Sequence, residues 1–287
     1  MYKEFFHLSR FPFDLTPDPK CFVSTVRHNE ALASLYYGVR RHKGFVVITG
    51  EVGTGKTLLL RLLLQLFEGS KDISYAYIFN CRLSPTEFLH YILSDLGIPN
   101  AGKTKGEMLF DLGVFLLNRH ERKMTTVLII DEAHHLSAEL LEEVRMLSNL
   151  ETIDDKLIQI LLVGQPELDL KLDSHDLRQL KQRITIRTHL DPLSLDEARR
   201  YIEERLLIAG ANSNASSLFS EDAVESIHRI SRGFPRLINT ICENSLITAY
   251  ARRQETITPD IIEVVAREFH LQPSAPGGKR KDRAVRA

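Results

Sequence analysis

The sequence predicts an α/β fold in which a parallel, five-stranded sheet is covered by helices and is followed by a small all-helical domain. Three observations predict this arrangement. Short apolar runs alternate with helical patterns as far as residue 191, which is typical of a parallel sheet with helices on both faces. The first apolar run leads directly into a glycine-rich loop, and from Pro192 onwards only helical patterns remain.

The glycine-rich loop matches a phosphate-binding pattern. Residues 46–49 are all β-branched and favour a buried strand, and residues 50–57 read Gly-Glu-Val-Gly-Thr-Gly-Lys-Thr. Glycines let backbone N–H groups turn inward around a phosphate. The helix that follows also attracts the phosphate with its positive N-terminal end. The alternative, a glycine turn in another α/β protein, is disfavoured because residues 58–67 are apolar nearly all round, like a helix buried against a sheet.

This loop predicts a nucleoside triphosphate site. The Lys56 ammonium would reach the β- and γ-phosphates, and the Thr57 hydroxyl would be a Mg²⁺ ligand. We expect the nucleotide to be bound by Gly50, Glu51, Val52, Gly53, Thr54, Gly55, Lys56, Thr57 and Leu58.

The composition excludes few classes of function. The 287 residues are 43% hydrophobic with a formal net charge of −1, so no global field favours nucleic acid or membranes. The three cysteines match no metal or redox spacing and suggest a reducing compartment. No signal peptide or long apolar run is evident, so we expect a cytoplasmic protein, or one bound peripherally at the inner membrane through a partner.

The first 27 residues are rich in phenylalanine and proline and predict an extended strap rather than a helix, because X-Pro steps favour extended backbone. Its phenylalanines either pack on the main domain, or part of the strap lies against the adenine base. Beyond the loop region, strands are predicted at residues 73–80, 125–130, 157–163 and 184–187, and helices at 28–42, from Ser84, at 107–122 and at 140–150.

The helical domain is predicted from its capping signals. Helices are expected from Ser194, which forms a capping box with Glu197, and from Ser220, Pro235 and Thr258. We therefore predict an α/β domain over residues 1–191, a helical lid domain over 192–271 and a disordered tail over 272–287. The tail carries five cations, which are either solvated or contact anionic lipid or nucleic acid.

Two adjacent carboxylates follow the third predicted strand. Asp131 could hold the Mg²⁺ that bridges the phosphates, and Glu132 could polarise a water for attack on the γ-phosphate. His134 and His135 are not expected to bind a metal, because adjacent side chains should project differently. The sequence Asp-Glu-Ala-His at residues 131–134 also occurs in one helicase group. A helicase needs a second nucleotide-type lobe, however, for which the chain has no room.

Polar residues at three further places point to the same chemistry. Gln165 follows the fourth strand, where its amide could orient the attacking water or contact the γ-phosphate. Arg178 and Arg183 precede the fifth strand, where they are either catalytic cations or part of a solvated helix face. Arg236 lies in the first turn of a helix, where a cation opposes the helix dipole and so suggests a bound phosphate.

In this order, these features resemble those of AAA+ ATPases, and several stretches resemble the ExeA/GspA family in particular. The similar stretches cover residues 1 to about 270: 11–19, 50–57, 131–137, 145–152, 162–168, 182–184 and 233–239. The resemblance implies an AAA+ P-loop fold and ATPases of the general secretory pathway, with relatives in pilus and exopolysaccharide systems. Some members continue into a transmembrane segment and a peptidoglycan-binding domain, whereas this sequence ends at Ala287, so we expect the ATPase module alone.

The resemblance also assigns three site residues. Arg183 corresponds to the arginine that reaches the γ-phosphate of the neighbouring subunit, and Arg236 to the lid sensor arginine. Gln165 stands where the family of AAA+ proteins usually has a sensor asparagine. We expect the strand after Arg183 to return to the sheet edge remote from its own phosphate loop, and ATP to stabilise homo-oligomers such as rings.

Three functions are compatible with these features. The first is Mg²⁺-dependent ATP hydrolysis that drives assembly or remodelling of a cell-envelope secretion, pilus or exopolysaccharide machine, with a cell-envelope protein as client. The second is an ATP-dependent DNA-binding regulator of the transposition type, and the third a nucleotide-gated scaffold with little turnover. Glu132 argues against the scaffold, and the near-zero net charge argues against the DNA-binding regulator.

Overall fold

A computed structural model describes residues 2–16, 18–211 and 215–271. The chain folds into two units, an α/β unit of residues 17–191 and a helical unit that combines residues 1–16 with 192–287. Pro17 of the strap and the predicted disordered tail at 272–287 lie outside the described residues. No helix in the described ranges has the length and apolar character needed to span a bilayer.

The sheet of the α/β unit has five parallel strands in the order β2-β3-β4-β1-β5. The strands are β1 (Phe45–Gly50), β2 (Ile73–Ile78), β3 (Thr125–Ile130), β4 (Gln159–Gly164) and β5 (Ile184–Leu190). Every residue of β1, β3 and β4 is buried, because these central strands are covered on both faces and are correspondingly apolar. The edge strands β2 and β5 are only partly buried.

The α-helices of the described residues are, in chain order, α1 (Tyr2–Phe5), α2 (Val26–Arg40), α3 (Lys56–Glu68), α4 (Pro85–Asp95), α5 (Lys105–Glu121), α6 (Ala138–Leu147), α7 (Pro166–Leu172), α8 (Arg178–Lys181), α9 (Leu195–Ile208), α10 (Ala215–Leu218), α11 (Glu221–Ser231), α12 (Pro235–Ala251) and α13 (Pro259–Glu268). Short 3₁₀ turns occupy Pro19–Cys21, Ala133–His135 and His175–Leu177. The predicted helices are all present, with ends that differ by a few residues.

Local capping explains where several helices begin. Ser84 with Glu87, and Ser194 with Glu197, form capping boxes in which each side chain satisfies a backbone N–H that the helix leaves free. A third capping box at Thr104 starts α5 two residues before the predicted start at residue 107.

The sheet separates two apolar cores. On one face, alternate residues of the central strands, including Phe45 and Leu128, pack with side chains of α4, α5 and α6. On the other face, Val46 and Ile129 pack with side chains of α2 and α3. Because the sheet is packed on both faces, it is a rigid layer. The carboxyl ends of its parallel strands lie on one side of this layer and the amino ends on the opposite side.

Residues 1–16 differ from the prediction, which placed the whole strap with the α/β domain. They group with the helical unit, and Tyr2–Phe5 is a short helix rather than an extended segment. Phe13 is fully buried and meets Phe219 edge to face, with ring centroids 6.0 Å apart. The buried guanidinium of Arg205 donates to the backbone oxygens of Pro12 and Asp14, at 2.6 and 3.2 Å. The strap therefore supplies acceptors that a buried cation requires.

Candidate nucleotide-binding site

The phosphate-binding loop joins β1 to α3 through backbone that favours glycine. Gly53 and Gly55 have φ values of 84° and 102°, which side chains with a Cβ rarely adopt. A Cβ on Gly50 would lie 2.9 Å from the backbone oxygen of Leu190 on β5. The pattern of glycines is therefore required by the loop conformation and by the close approach of the neighbouring strand.

Lys56 is the buried cation of this loop. Its Nζ donates to the backbone oxygens of Gly50 and Glu51, at 2.7 and 2.9 Å. Burial lowers the pKa of Lys56, and the negative charges of Glu132 and Asp131 act in the opposite direction. An ammonium that rests on neutral carbonyls in an enclosed loop is suited to exchange them for anionic phosphate oxygens.

His28 supports the loop, and nothing in the sequence pattern singled it out. This buried residue of α2 places Nε2 2.9 Å from the backbone oxygen of Thr54 and Nδ1 2.7 Å from Thr25 Oγ1. Its ring also occupies the space beside Gly55, where an added Cβ would lie 2.8 Å from Nε2. The sequence signal near His28 is Thr25, the N-cap three residues before it. This signal predicts the start of a helix, but it does not predict the contact of His28 with Thr54, 26 residues further along the chain.

Asp131 follows the end of β3 and is held by two hydrogen bonds. Its Oδ2 accepts from the Tyr77 hydroxyl at 2.9 Å, and its Oδ1 accepts from the backbone N–H of Glu132 at 2.8 Å. Burial raises the pKa of Asp131, and the two hydrogen bonds offset part of that shift. Tyr77 on β2 was also missed, because it belongs to an ordinary strand pattern and meets Asp131 only through the pairing of β2 with β3.

Glu132 and Gln165 come together beside His134. The Glu132 Oε2 lies 3.3 Å from His134 Nδ1 and 3.5 Å from Gln165 Nε2. Gln165 Nε2 also lies 3.0 Å from His134 Nε2. Glu132 has φ 51° and ψ 34°, a left-handed conformation that is uncommon for residues other than glycine. Burial, reinforced by the nearby His135, lowers the pKa of His134.

His134 and His135 do not project in different directions as expected. The two rings do not diverge, because their centroids are 4.0 Å apart, and ligand atoms of Glu132, His134 and His135 all lie within 4.8 Å of one another. However, the contacts of His134 with Glu132 and Gln165 are those of a residue that positions the carboxylate.

Arg183 lies far from its own phosphate loop, but not for the predicted reason. The strand after it, β5, is an edge strand that pairs directly with β1, the strand leading into the loop. Phe45 pairs with Ile184 and Gly50 with Leu190, so Arg183 lies beside the start of β1 whereas the loop follows its end. At about 3.3 Å per residue, these two positions are roughly 20 Å apart.

The arginines have different surroundings. Arg183 Nη1 donates to Ser148 Oγ, at the end of α6, whereas Arg178 is exposed at the start of α8. In the helical unit, Arg236 is exposed in the first turn of α12. The structure thus brings together Lys56, Asp131, Glu132 and Gln165 at the carboxyl ends of β1, β3 and β4. Arg183 lies at the amino end of β5, on the opposite side of the sheet.

Comparison with known proteins agrees with this geometry. A family model described as AAA domain matches residues 39–172. General secretion pathway protein A of Aeromonas hydrophila is 43% identical over 269 residues; the match covers 93% of this chain but 48% of that protein, so the chain spans about half of its length. ATP-dependent target DNA activator B of Escherichia phage Mu is 23% identical over 261 residues, covering 89% of this chain and 75% of that protein.

Solved structures share the fold. Cdc6p of Pyrobaculum aerophilum superposes with a TM-score of 0.63 at 21% identity, covering 93% of this chain and 70% of that one. The RuvB branch migration motor of Thermotoga maritima gives a TM-score of 0.58 at 18% identity, covering 92% and 74%. The AAA-domain match, the parallel sheet with its phosphate loop and the 43% identity together support an AAA+ protein of the family of general secretion pathway protein A.

Proposed function

We propose that this chain hydrolyses ATP in a Mg²⁺-dependent reaction. The observation that carries the proposal is the convergence of Lys56, Asp131, Glu132 and Gln165 at the carboxyl ends of β1, β3 and β4. In open α/β sheets this edge is where ligands bind. The convergence combines a phosphate-binding cation, two carboxylates and a polar amide within one unit of the chain.

The residues present fit a nucleotide and its metal ion. The glycine-rich loop offers backbone N–H groups and the positive end of α3 to phosphate oxygens, with Lys56 as the nearby cation. Thr57 and Asp131 would hold Mg²⁺, since hydroxyl and carboxylate oxygens are the donors that this hard cation prefers. When bound, Mg²⁺ neutralises charge on the phosphates.

Glu132 and Gln165 are proposed to act on the attacking water. The Glu132 carboxylate would accept the water's proton, and the Gln165 amide would orient that water. His134 would keep the carboxylate in place through its 3.3 Å contact with Glu132 Oε2. Arg183 is proposed to act on the nucleotide of a neighbouring subunit, which is compatible with its distance from its own loop, and Arg236 to act as the lid sensor.

The test is ATP binding and phosphate release by the purified chain with and without Mg²⁺. Lys56→Ala should abolish ATP binding, because the triphosphate would lose its buried cation, whereas the exposed Lys71→Ala should bind like the parent. Phosphate release without Mg²⁺, or by Lys56→Ala at the parental rate, would contradict the proposed function.

We further propose that hydrolysis serves a cell-envelope assembly, from the cytoplasm or from the inner membrane through a partner. The support is the 43% identity to general secretion pathway protein A, which covers about half of that protein. Cells expressing Glu132→Gln in place of the parent chain should retain client complexes, which pull-down would identify. Recovery of no envelope protein above the level seen with Lys56→Ala would count against this role.

A DNA-associated function is the second candidate, because the chain is 23% identical to the phage Mu target DNA activator. Binding to duplex DNA in the presence of ATP, with an affinity that falls steeply with salt, would favour it, since phosphate contacts release counterions. The formal net charge of −1 supplies no general attraction to DNA, so specific binding would require a local basic patch.

A further inference from the structure

Three potential metal ligands lie close together at the amino ends of the strands, on the side of the sheet opposite the phosphate loop. His42 precedes β1, His120 lies in the last turn of α5 before β3, and Asp155 precedes β4. One ligand atom from each lies within 4.8 Å of those of the other two. The same three strands that carry the nucleotide site at their carboxyl ends therefore assemble this cluster at their amino ends, about 20 Å away.

The surroundings of His42 allow a metal-binding tautomer. Its Nε2 lies 3.2 Å from Thr125 Oγ1, the first residue of β3, and its Nδ1 lies 3.6 Å from Asp155 Oδ1. When Nε2–H donates to Thr125, Nδ1 directs a lone pair towards the carboxylate. In this tautomer two acceptors face each other, and a cation between them would satisfy both; in the other tautomer Nδ1–H faces Asp155 as a donor. Ligand histidines commonly have such an outer partner on their second nitrogen.

The donor set indicates the class of metal. Two imidazoles and one carboxylate suit Zn²⁺ and its neighbours among the divalent transition metals, whereas Mg²⁺ prefers oxygen donors alone. At Zn–ligand distances of about 2.0–2.2 Å, tetrahedral ligand atoms are roughly 3.4 Å apart. The 3.6 Å separation of His42 and Asp155 is close to this value, so modest rotation of partly exposed side chains suffices. Solvent reaches the cluster, because the side chains of His42 and Asp155 are 25% and 43% exposed.

We propose that His42, His120 and Asp155 form a Zn²⁺-class binding site, with Thr125 as the outer partner of His42 and water completing the coordination. The ion would tie together the segments that lead into β1, β3 and β4, the strands that position the phosphate loop, Asp131 and Gln165. This inference does not depend on ATP turnover. Because the ion would join three segments that are distant along the chain, we expect it to act as a stabilising cross-link.

The test is Zn²⁺ binding by the full chain, with tags removed and metals stripped, measured by calorimetry and by the shift in melting temperature. We expect one equivalent bound to the cluster and a higher melting temperature. Asp155→Asn and His120→Ala should weaken binding at least tenfold. Thr125→Val, which removes only the hydroxyl, should cost about 10–100-fold, as other outer-partner changes do.

Two control variants make the result specific. His175→Ala removes an exposed histidine that also lies near a carboxylate, 3.9 Å from Asp176, and should bind Zn²⁺ like the parent. His135→Ala removes one member of the group beside Glu132 and should leave binding at the proposed cluster intact. If Zn²⁺ binds parent, Asp155→Asn and His120→Ala equally, or not at all, His42 and Asp155 form only an ion pair and the proposal is overturned. Loss of binding in His135→Ala alone would overturn it too.

Discussion

His28 Nε2 lies 2.9 Å from the backbone oxygen of Thr54, so a helix that precedes β1 holds the phosphate loop in place. Thr25, the N-cap of that helix, lies 2.7 Å from the other ring nitrogen and fixes the orientation of the imidazole. Because Nδ1 can accept from the Thr25 hydroxyl, Nε2 can donate to Thr54. The loop conformation thus depends on a side chain outside the phosphate-binding pattern.

His28→Ala should weaken ATP binding and lower stability. It leaves the buried Thr54 oxygen without its donor, a loss that typically costs about 1–3 kcal/mol. His28→Gln, whose amide can donate instead, should recover part of both. Denaturant unfolding and ATP dissociation constants would check this. Equal ATP affinity in His28→Ala and the parent would show that the loop does not need this support.

Gly55→Ala should lose ATP binding. At φ 102° an alanine is strained, and its Cβ would lie 2.8 Å from His28 Nε2, so both the loop and its support would shift. The matched control is Gly113→Ala in the interior of α5, where an added Cβ meets nothing within 4 Å. That change should raise the free energy of unfolding by about 0.5–1 kcal/mol. Similar ATP affinity in both variants would contradict the role given to the loop conformation.

Glu132→Gln should bind ATP with near-parental affinity and lose about 10²–10⁴-fold in turnover, the usual contribution of a general base. The amide keeps the size of the side chain but cannot accept a proton from water. The control is Glu139→Gln on the exposed side of α6, which should hydrolyse ATP normally. Phosphate release by Glu132→Gln at the parental rate would remove Glu132 from the mechanism.

Arg183→Ala should bind ATP normally but hydrolyse it poorly. If the arginine acts on the neighbouring subunit, turnover per chain should rise with protein concentration. A mixture of Arg183→Ala with Lys56→Ala should then recover activity, because the second variant donates its arginine to the intact phosphate loop of the first. Comparable arginines supplied in trans contribute about 10³–10⁵ in GTPases.

The same measurements on Arg178→Ala identify which of the two arginines acts, since Arg178 is exposed whereas Arg183 is held by Ser148. Turnover that is independent of concentration, with no recovery in the mixture, would show that Arg183 does not act between subunits.

Features that depend on neighbouring residues along the chain could be predicted from the sequence. The glycine-rich loop, the strand at 125–130, the helix start at Ser84 and the capping box at Ser194 all lie where expected. Loop dihedrals, caps and the apolar character of a buried strand are set by short stretches of chain, so periodicity and residue type suffice to locate them. The carboxylates at 131 and 132 could be placed at the carboxyl end of β3 for the same reason.

Contacts between distant segments depended on how the strands and helices pack. Tyr77 meets Asp131 because β2 pairs with β3, and Arg183 lies roughly 20 Å from the phosphate loop because β5 runs parallel to β1 and begins opposite Phe45. Residues 1–16 join the helical unit because the buried Arg205 takes their backbone oxygens as acceptors. None of these follows from local pattern, because each pairing is selected by the burial of apolar surface and charge across the whole fold.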